Sequence, residues 1–262
     1  MLRHLVRQSS LGKFLARLKQ KLMSAGVSTD YATLAPGELD DESARLRDAW
    51  KNEDIPQSQR QLVDRQLDAF RRGSRIDVFD VLIAALRSLP EMSSTSTVLE
   101  IGCSSGYYSE VLQIAGIPLE YSGCDYSPAF VDLAKRRYPD LNFNVEDSTM
   151  LSYPEEAFDV VVSGCCLLHI PEFGKAVEET GRVARRFAIF HRTPVVLGQP
   201  TTWYRKKAYG VETIEIHFNE DEFTALLEKS GLPIIGTHVL SNEVQGGVTS
   251  AVKTYVCEKR AR

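Results

Sequence analysis

Cysteine is scarce in this chain and shows no pairing pattern. Cys103, Cys124, Cys165, Cys166 and Cys257 are odd in number and form neither CxxC pairs nor a secreted-type framework, which points to reduced thiols and a cytoplasmic setting. Metal-ligand spacing is missing among the histidines, cysteines and acids, so no metal centre is expected. Apolar runs stay well short of membrane-spanning length. An excess of positive charge is missing too: 31 Lys and Arg stand against 35 Asp and Glu, a formal net charge of −4, whereas a dedicated nucleic-acid binder would carry a basic domain. There are no internal repeats or low-complexity tracts. What is left is a globular composition, 262 residues with 43% apolar side chains, enough for one substantial core and an appendage.

Charge is uneven at the start of the chain. Residues 1–22 carry Arg3, Arg7, Lys13, Arg17, Lys19 and Lys21 without an acid, while Leu11, Phe14, Leu15, Leu18 and Leu22 fall on one helical face. A helix packed on the main domain explains the pattern, and a membrane-surface helix or an organellar targeting peptide is the alternative.

Periodicity organises the rest. Three helical patterns at residues 38–51, 56–72 and 76–89 make a helical preface, with Pro56 suited to a first helical position and Gly73 breaking the run. The polar stretch 92–97 then marks a junction, so the chain divides into a helical extension or lid at 1–94 and a core at 95–262. Strands are expected at 98–101, 119–125, 141–145, 158–163 and 186–191, with helices after the first, second, fourth and fifth, and a closing strand pair at 233–240 and 251–258. Val160, Val161 and Val162 suit the centre of a parallel sheet buried on both faces. This alternation implies a mostly parallel sheet with helices on both faces and ligands at the strands' carboxyl ends.

The chemistry gathers at those ends. In residues 98–112, an apolar strand passes through the turn from Gly102 to Gly106 into a helix, an arrangement that aims backbone N–H groups and a helix dipole at a ligand. Glu100 lies in the first strand, Asp125 closes the second and Asp147 follows the third. A carboxylate in the place of Asp125, about 20 residues beyond the glycine turn, can accept both hydrogen bonds of a ribose diol.

The segments VLEIGCSSG, GCDYSP and VEDSTMLSYPEEAFDVVVS resemble successive motifs of the class I S-adenosylmethionine-dependent methyltransferases over about residues 95–258. The resemblance implies a Rossmann-like sheet of seven mostly parallel strands with one antiparallel closing strand, S-adenosylmethionine as cofactor and direct in-line methyl transfer to a small molecule or a glycan or lipid precursor. It also implies that Glu100 and the turn of Gly102, Cys103, Ser104 and Gly106 hold the methionine part, that Asp125 with Tyr126 holds the ribose, and that Asp147 and Ser148 meet the adenine, with Glu146 competing. Arg182 and Val183 match a family run whose usual Gly-Gly is missing here.

Ser104 stands where the family's middle glycine falls. Gly102 to Gly106 therefore also matches the G-x-S-x-G nucleophile elbow of a serine hydrolase, with His217 or His238 as partner, although no HGGG-like oxyanion segment precedes it. A fold that kept cofactor binding but lost turnover is a third reading. For methyl transfer to oxygen, His169 after the fourth strand is the leading candidate for a general base and His191 the weaker one. Residues 193–218 form a long connection with Trp203, Tyr204, Arg205, Lys206, Lys207, Tyr209 and His217, read as a solvated loop with a substrate wall as the alternative. Tyr31, Trp50 and Gln59 of the preface are unranked candidates for the pocket.

Overall fold

The computed structural model describes residues 28–245 and 247–260, and the basic stretch at 1–22 lies outside them. The described chain opens with β1 (Ser28–Thr33), followed by α1 (Pro36–Asp48), α2 (Ile55–Arg71) and α3 (Asp77–Arg87). The alternating part comprises β2 (Thr97–Ile101), α4 (Tyr107–Ile114), β3 (Glu120–Asp125), α5 (Pro128–Arg137), β4 (Asn142–Val145), β5 (Phe158–Gly164), α6 (Phe173–Val183) and β6 (Ala184–Leu197). A hairpin of β7 (Thr202–Ala208) and β8 (Val211–Asn219) follows, and α7 (Glu220–Lys229), β9 (Ile234–Gln245) and β10 (Val248–Glu258) close the fold. Among the described residues no helix is long and apolar enough to cross a membrane.

The central sheet runs β4-β3-β2-β5-β6-β10-β9, and β10 is the strand that runs against the others. Alternation of side chains along each strand splits the core in two. Val98, Val160, Val162, Phe187 and Ile189 pack with Leu67, Phe79 and Val111 from the helices on one face. Leu99, Ile101 and Val161 turn to the other face, where Ala188 and Phe190 meet Val177, Phe223 and Leu227 of α6 and α7. Val160 and Val161 are 0% exposed, and a valine buried that fully contributes about 1.5–3 kcal/mol. The sheet is thus sealed on both faces and leaves its carboxyl ends as the open edge.

The connection at 193–218 is not the solvated loop that the sequence suggests. β6 continues to Leu197, and β7 and β8 form an antiparallel ribbon with β1 along its outer edge. Tyr209 and Gly210, at φ 51° and 87°, close the ribbon in the left-handed conformation that two-residue hairpins favour. The strand pattern is hidden because the second face of β8 is buried as well: Ile214 and Ile216 pack on one side, while Thr213 and Glu215 are enclosed on the other. Residues 28–33, which carry no helical pattern, find their partner only through β7.

Candidate active site

A cavity of about 360 Å³ opens at the carboxyl ends of β2, β3, β5 and β6, between the sheet, the preface and the β7–β8 ribbon. Three residues with left-handed backbone shape its floor: Gly102 (φ +73°), Ser104 (φ 55°) and Gly106 (φ +72°). A Cβ on Gly102 would stand 2.4 Å from Cβ of Cys166, and one on Gly106 would stand 2.6 Å from the Phe143 ring. Ser104 accepts the left-handed conformation that costs a non-glycine residue about 1–2 kcal/mol, and its hydroxyl meets Oε1 of Gln59 from α2.

Asp125 ties the turn to the next strand. Its Oδ2 accepts from the Ser104 amide at 2.8 Å, and its Oδ1 accepts from the Ser127 amide at 2.9 Å. Burial lifts this carboxyl to about 6, against the pull of those amides. Each oxygen retains a lone pair for a further donor.

Of the residues that the sequence nominates, Gly102, Ser104, Asp125, Tyr126, Ser148 and His169 line this one cavity. Others do not. Glu100 is turned into the sheet, where its carboxylate accepts from the Tyr121 hydroxyl, is 2% exposed and is raised well above the carboxylate range by burial. Cys103 packs in the core at 0% exposure, and Gly106 serves the turn against Phe143 rather than the cavity wall. Asp147 faces away: its Oδ1 takes Arg47 Nη2 at 2.6 Å and the Thr149 amide at 2.8 Å, while Glu146 and Ser148 line the cavity in its place.

The two histidines differ in the same way. His191 is buried between the Tyr108 hydroxyl at 2.8 Å and Thr254 Oγ1 at 3.1 Å, outside the cavity, and burial pushes it well below its ordinary value. It is a packing residue of the β6–β10 seam, and the general-base candidacy of His191 falls with that placement. His169 does face the cavity. Its Nδ1 donates to the Ile214 carbonyl at 2.6 Å, its ring lies 4.6 Å from that of Trp50, and burial with nearby Lys206 holds it down at about 3. The ring is therefore neutral at ordinary pH, with Nε2 as an acceptor and a weak base.

Of the roof, the sequence nominates Trp50 and Gln59 as candidates and Lys206 and Tyr209 in its substrate-wall alternative, but not Arg47, Arg192 or Glu215. Arg47, Trp50 and Gln59 reach the cavity from the preface, whereas Tyr31 bonds Glu215 instead. From the ribbon come Lys206, Tyr209 and Glu215, and from the end of β6 comes Arg192. Burial raises Glu215, but the His217 bond and the Lys206 charge outweigh it and hold the carboxylate at about 2. Alternation in β8 is the signal that would have found this face. Among the described residues Ser104 has no histidine partner: its hydroxyl contacts Gln59, while His217 donates to Glu215 on the ribbon, so the nucleophile-elbow reading lacks its base.

Cradle and cavity fit S-adenosylmethionine. A buried carboxylate with free lone pairs suits a ribose diol, Gly102 brings backbone without a Cβ to the cavity floor, and Tyr107, Tyr126 and Trp50 add aromatic side chains to the cavity wall. Residues 99–190 match a family model described as a methyltransferase domain. A demethylmenaquinone methyltransferase of Paenarthrobacter aurescens is 33% identical over 88 residues, 34% of this chain and 34% of that protein. A phthiotriol/phenolphthiotriol dimycocerosates methyltransferase of Mycobacterium leprae is 34% identical over 97 residues, 35% of each. The chain thus spans about a third of the length of these curated relatives. Among solved structures, an S-adenosylmethionine-dependent methyltransferase from Clostridium acetobutylicum superposes with a TM-score of 0.54 at 13% identity, over 76% of this chain and 98% of that one, a likeness of fold. With a match to a methyltransferase domain at residues 99–190 and this strand order around this turn, the chain is similar to the class I S-adenosylmethionine-dependent methyltransferases and has their Rossmann-like fold.

Proposed function

We infer that this protein transfers a methyl group from S-adenosylmethionine to a small-molecule acceptor held between the carboxyl ends of β5 and β6 and the β7–β8 ribbon. The observation that carries the reading is Asp125, clamped by the Ser104 and Ser127 amides at the edge of a cavity that the glycine turn enters. In this reading Asp125 accepts the two ribose hydroxyls, the backbone from Gly102 to Ser104 receives the methionine part, and Ser148 with Glu146 flanks the base. When bound, the cofactor supplies a methyl group made electrophilic by its sulfonium. The protein's own share is alignment and exclusion of water. His169 accepts a hydrogen bond from the acceptor and orients it, and Trp50 stacks against His169 to fix that ring.

The described part of the extension, residues 28–94, acts as a lid over the core that begins at residue 95. Support comes from Trp50 and Gln59, which reach the cavity from this part of the chain, and from Arg47, which bonds Asp147 of the core. The relatives named above are, by their names, methyltransferases of demethylmenaquinone and of phthiotriol/phenolphthiotriol dimycocerosates, non-macromolecular acceptors in both cases.

Calorimetry with S-adenosylmethionine and S-adenosylhomocysteine tests the reading. Micromolar binding that is lost in Asp125→Ala supports it, and absence of binding at millimolar cofactor overturns it. Transfer of an isotope-labelled methyl group in a lysate, followed by mass spectrometry of the product, identifies the acceptor.

A further inference from the structure

Arg192 sits at an irregularity in the sheet. β6 and β10 pair in register until Thr193 opposite Lys253 and Phe190 opposite Tyr255, so His191 and Arg192 together face Thr254. Both bond its hydroxyl, His191 through Nδ1 at 3.1 Å and Arg192 through its amide at 3.2 Å. This is a bulge of the kind that re-aims a side chain, and Arg192 adopts φ 58° within it. The re-aimed side chain lines the cavity.

Its charge has no acidic partner among the described residues. Arg47, another cation of the cavity wall, is paired with Asp147 and Glu172, and Lys206 is paired with Glu215. Among the described residues no ion pair includes Arg192; its side chain hydrogen-bonds the Tyr108 phenol, and its electrostatic neighbours are the Cys165 thiol and the phenols of Tyr108 and Tyr107, none of them an acid of the carboxylate class. The Nε atom is buried and without a hydrogen-bond partner. A guanidinium cannot relieve this by giving up its proton, and a charge taken out of water calls for a counter-charge. A second orphan donor points the same way, since Nε1 of Trp50 is buried without a partner on the wall of the same cavity. Two donor-only groups on residues of one cavity wall favour a ligand that brings acceptor atoms. Tyr209, Leu168 and Pro194 give the same space flat and apolar walls.

We propose that the methyl acceptor binds as an oxyanion carried on a flat, largely apolar body, with its anionic oxygens received by Arg192 and a further hydrogen bond from Trp50. The identification of this ligand as the acceptor rests on the methyltransferase reading above. Arg192 projects from β6, beside Cys165 after β5, whereas the turn and Asp125 belong to β2 and β3, on the other side of β5. An anion between a sulfonium and a guanidinium also neutralises two like charges that would otherwise repel.

The test titrates benzoate, phenyl phosphate and neutral benzamide into the protein, alone and saturated with S-adenosylhomocysteine. The expected result is that at least one anion binds about tenfold more tightly than benzamide, with Arg192→Gln removing the preference and Arg192→Lys restoring part of it. A carboxylate preference and a phosphate preference are separated by the first two probes. Equal affinity for anions and benzamide in the unaltered protein overturns the proposal without reliance on any variant, as does absence of anion binding at millimolar concentrations. A preference that persists in Arg192→Gln also overturns it. So does a loss of S-adenosylhomocysteine affinity in that variant, which would assign Arg192 to the cofactor's carboxylate. If the unaltered protein fails to bind S-adenosylhomocysteine, the methyltransferase reading falls, while the benzoate and benzamide comparison in the cofactor-free protein still decides the anion site.

Discussion

Affinity for the cofactor should depend on pH through Asp125, and the dependence can be worked from its surroundings. The carboxyl is raised by burial to about 6 although the Ser127 and Ser104 amides favour its charged form. Only the ionised carboxylate accepts from both ribose hydroxyls; the protonated form gives up part of that capacity. At pH 7.5 nearly all of the free protein carries the charge, and at pH 5 about one molecule in eleven does, so the dissociation constant for S-adenosylhomocysteine should rise about tenfold, or about 1.4 kcal/mol, between them. Calorimetric titration at half-unit steps from pH 5 to 8 measures this directly. His169, held down at about 3, stays outside the window, and His191 is depressed well below its ordinary value. Glu100 is raised by burial and stands close enough to interact with Asp125, so the control is Asp125→Asn, which keeps Glu100 in place. That variant should bind more weakly and with little slope. A flat profile in the unaltered protein, or an undiminished slope in Asp125→Asn, refutes the assignment of the ribose contact to Asp125.

Three further outcomes follow from the geometry. Gly106→Ala places a Cβ 2.6 Å from the Phe143 ring at a left-handed position, and the two effects together should cost about 3 kcal/mol in urea unfolding; a loss below about 1 kcal/mol would mean that the turn relaxes freely. Lys206→Met leaves Glu215 buried without its cation and should destabilise the protein by about 3 kcal/mol, much of it recovered in the double variant with Glu215→Gln. Because Glu215 is held at about 2, its contribution is present above its unfolded value near 4.5 and fades as pH falls toward 2, and Lys206→Met should flatten that part of the acid-denaturation curve. His169→Asn should slow transfer by less than about a hundredfold, leave S-adenosylhomocysteine affinity unchanged and keep the acid limb of the rate profile near 6; loss of that limb would restore His169 as a titrating general base.

The legible part of this protein is its local and periodic part. Gly102, with the short apolar run before it and helical spacing after it, marks β2, its turn and α4 because each needs only neighbouring residues. Val160 to Val162 announce a central strand for the same reason, and Asp125 stands out because its distance from the turn is set along the chain. Lys206 and Glu215 show where such reading fails. In a strand they look like two solvated charges, yet each is nearly covered because the other neutralises it, and nothing in the local sequence records that pairing. Asp147 and Glu146 fail differently: they are adjacent acids after one strand, and Arg47, about a hundred residues earlier, draws the first away and leaves the second at the cavity.

Sequence alone determined that the chain builds a mostly parallel sheet with a cofactor-type turn at its open edge, since hydrophobic period and glycine placement act over a few residues. Tertiary structure alone decided what lines the cavity. It turned Glu100, Cys103 and His191 into the core, brought Trp50 and Gln59 over the turn, folded residues 202–219 into a ribbon, and through one extra residue in β6 aimed Arg192 at the cavity. Those outcomes depend on register between distant strands and on charges that meet only in the folded chain, where a shift of one residue sends a side chain to the opposite face.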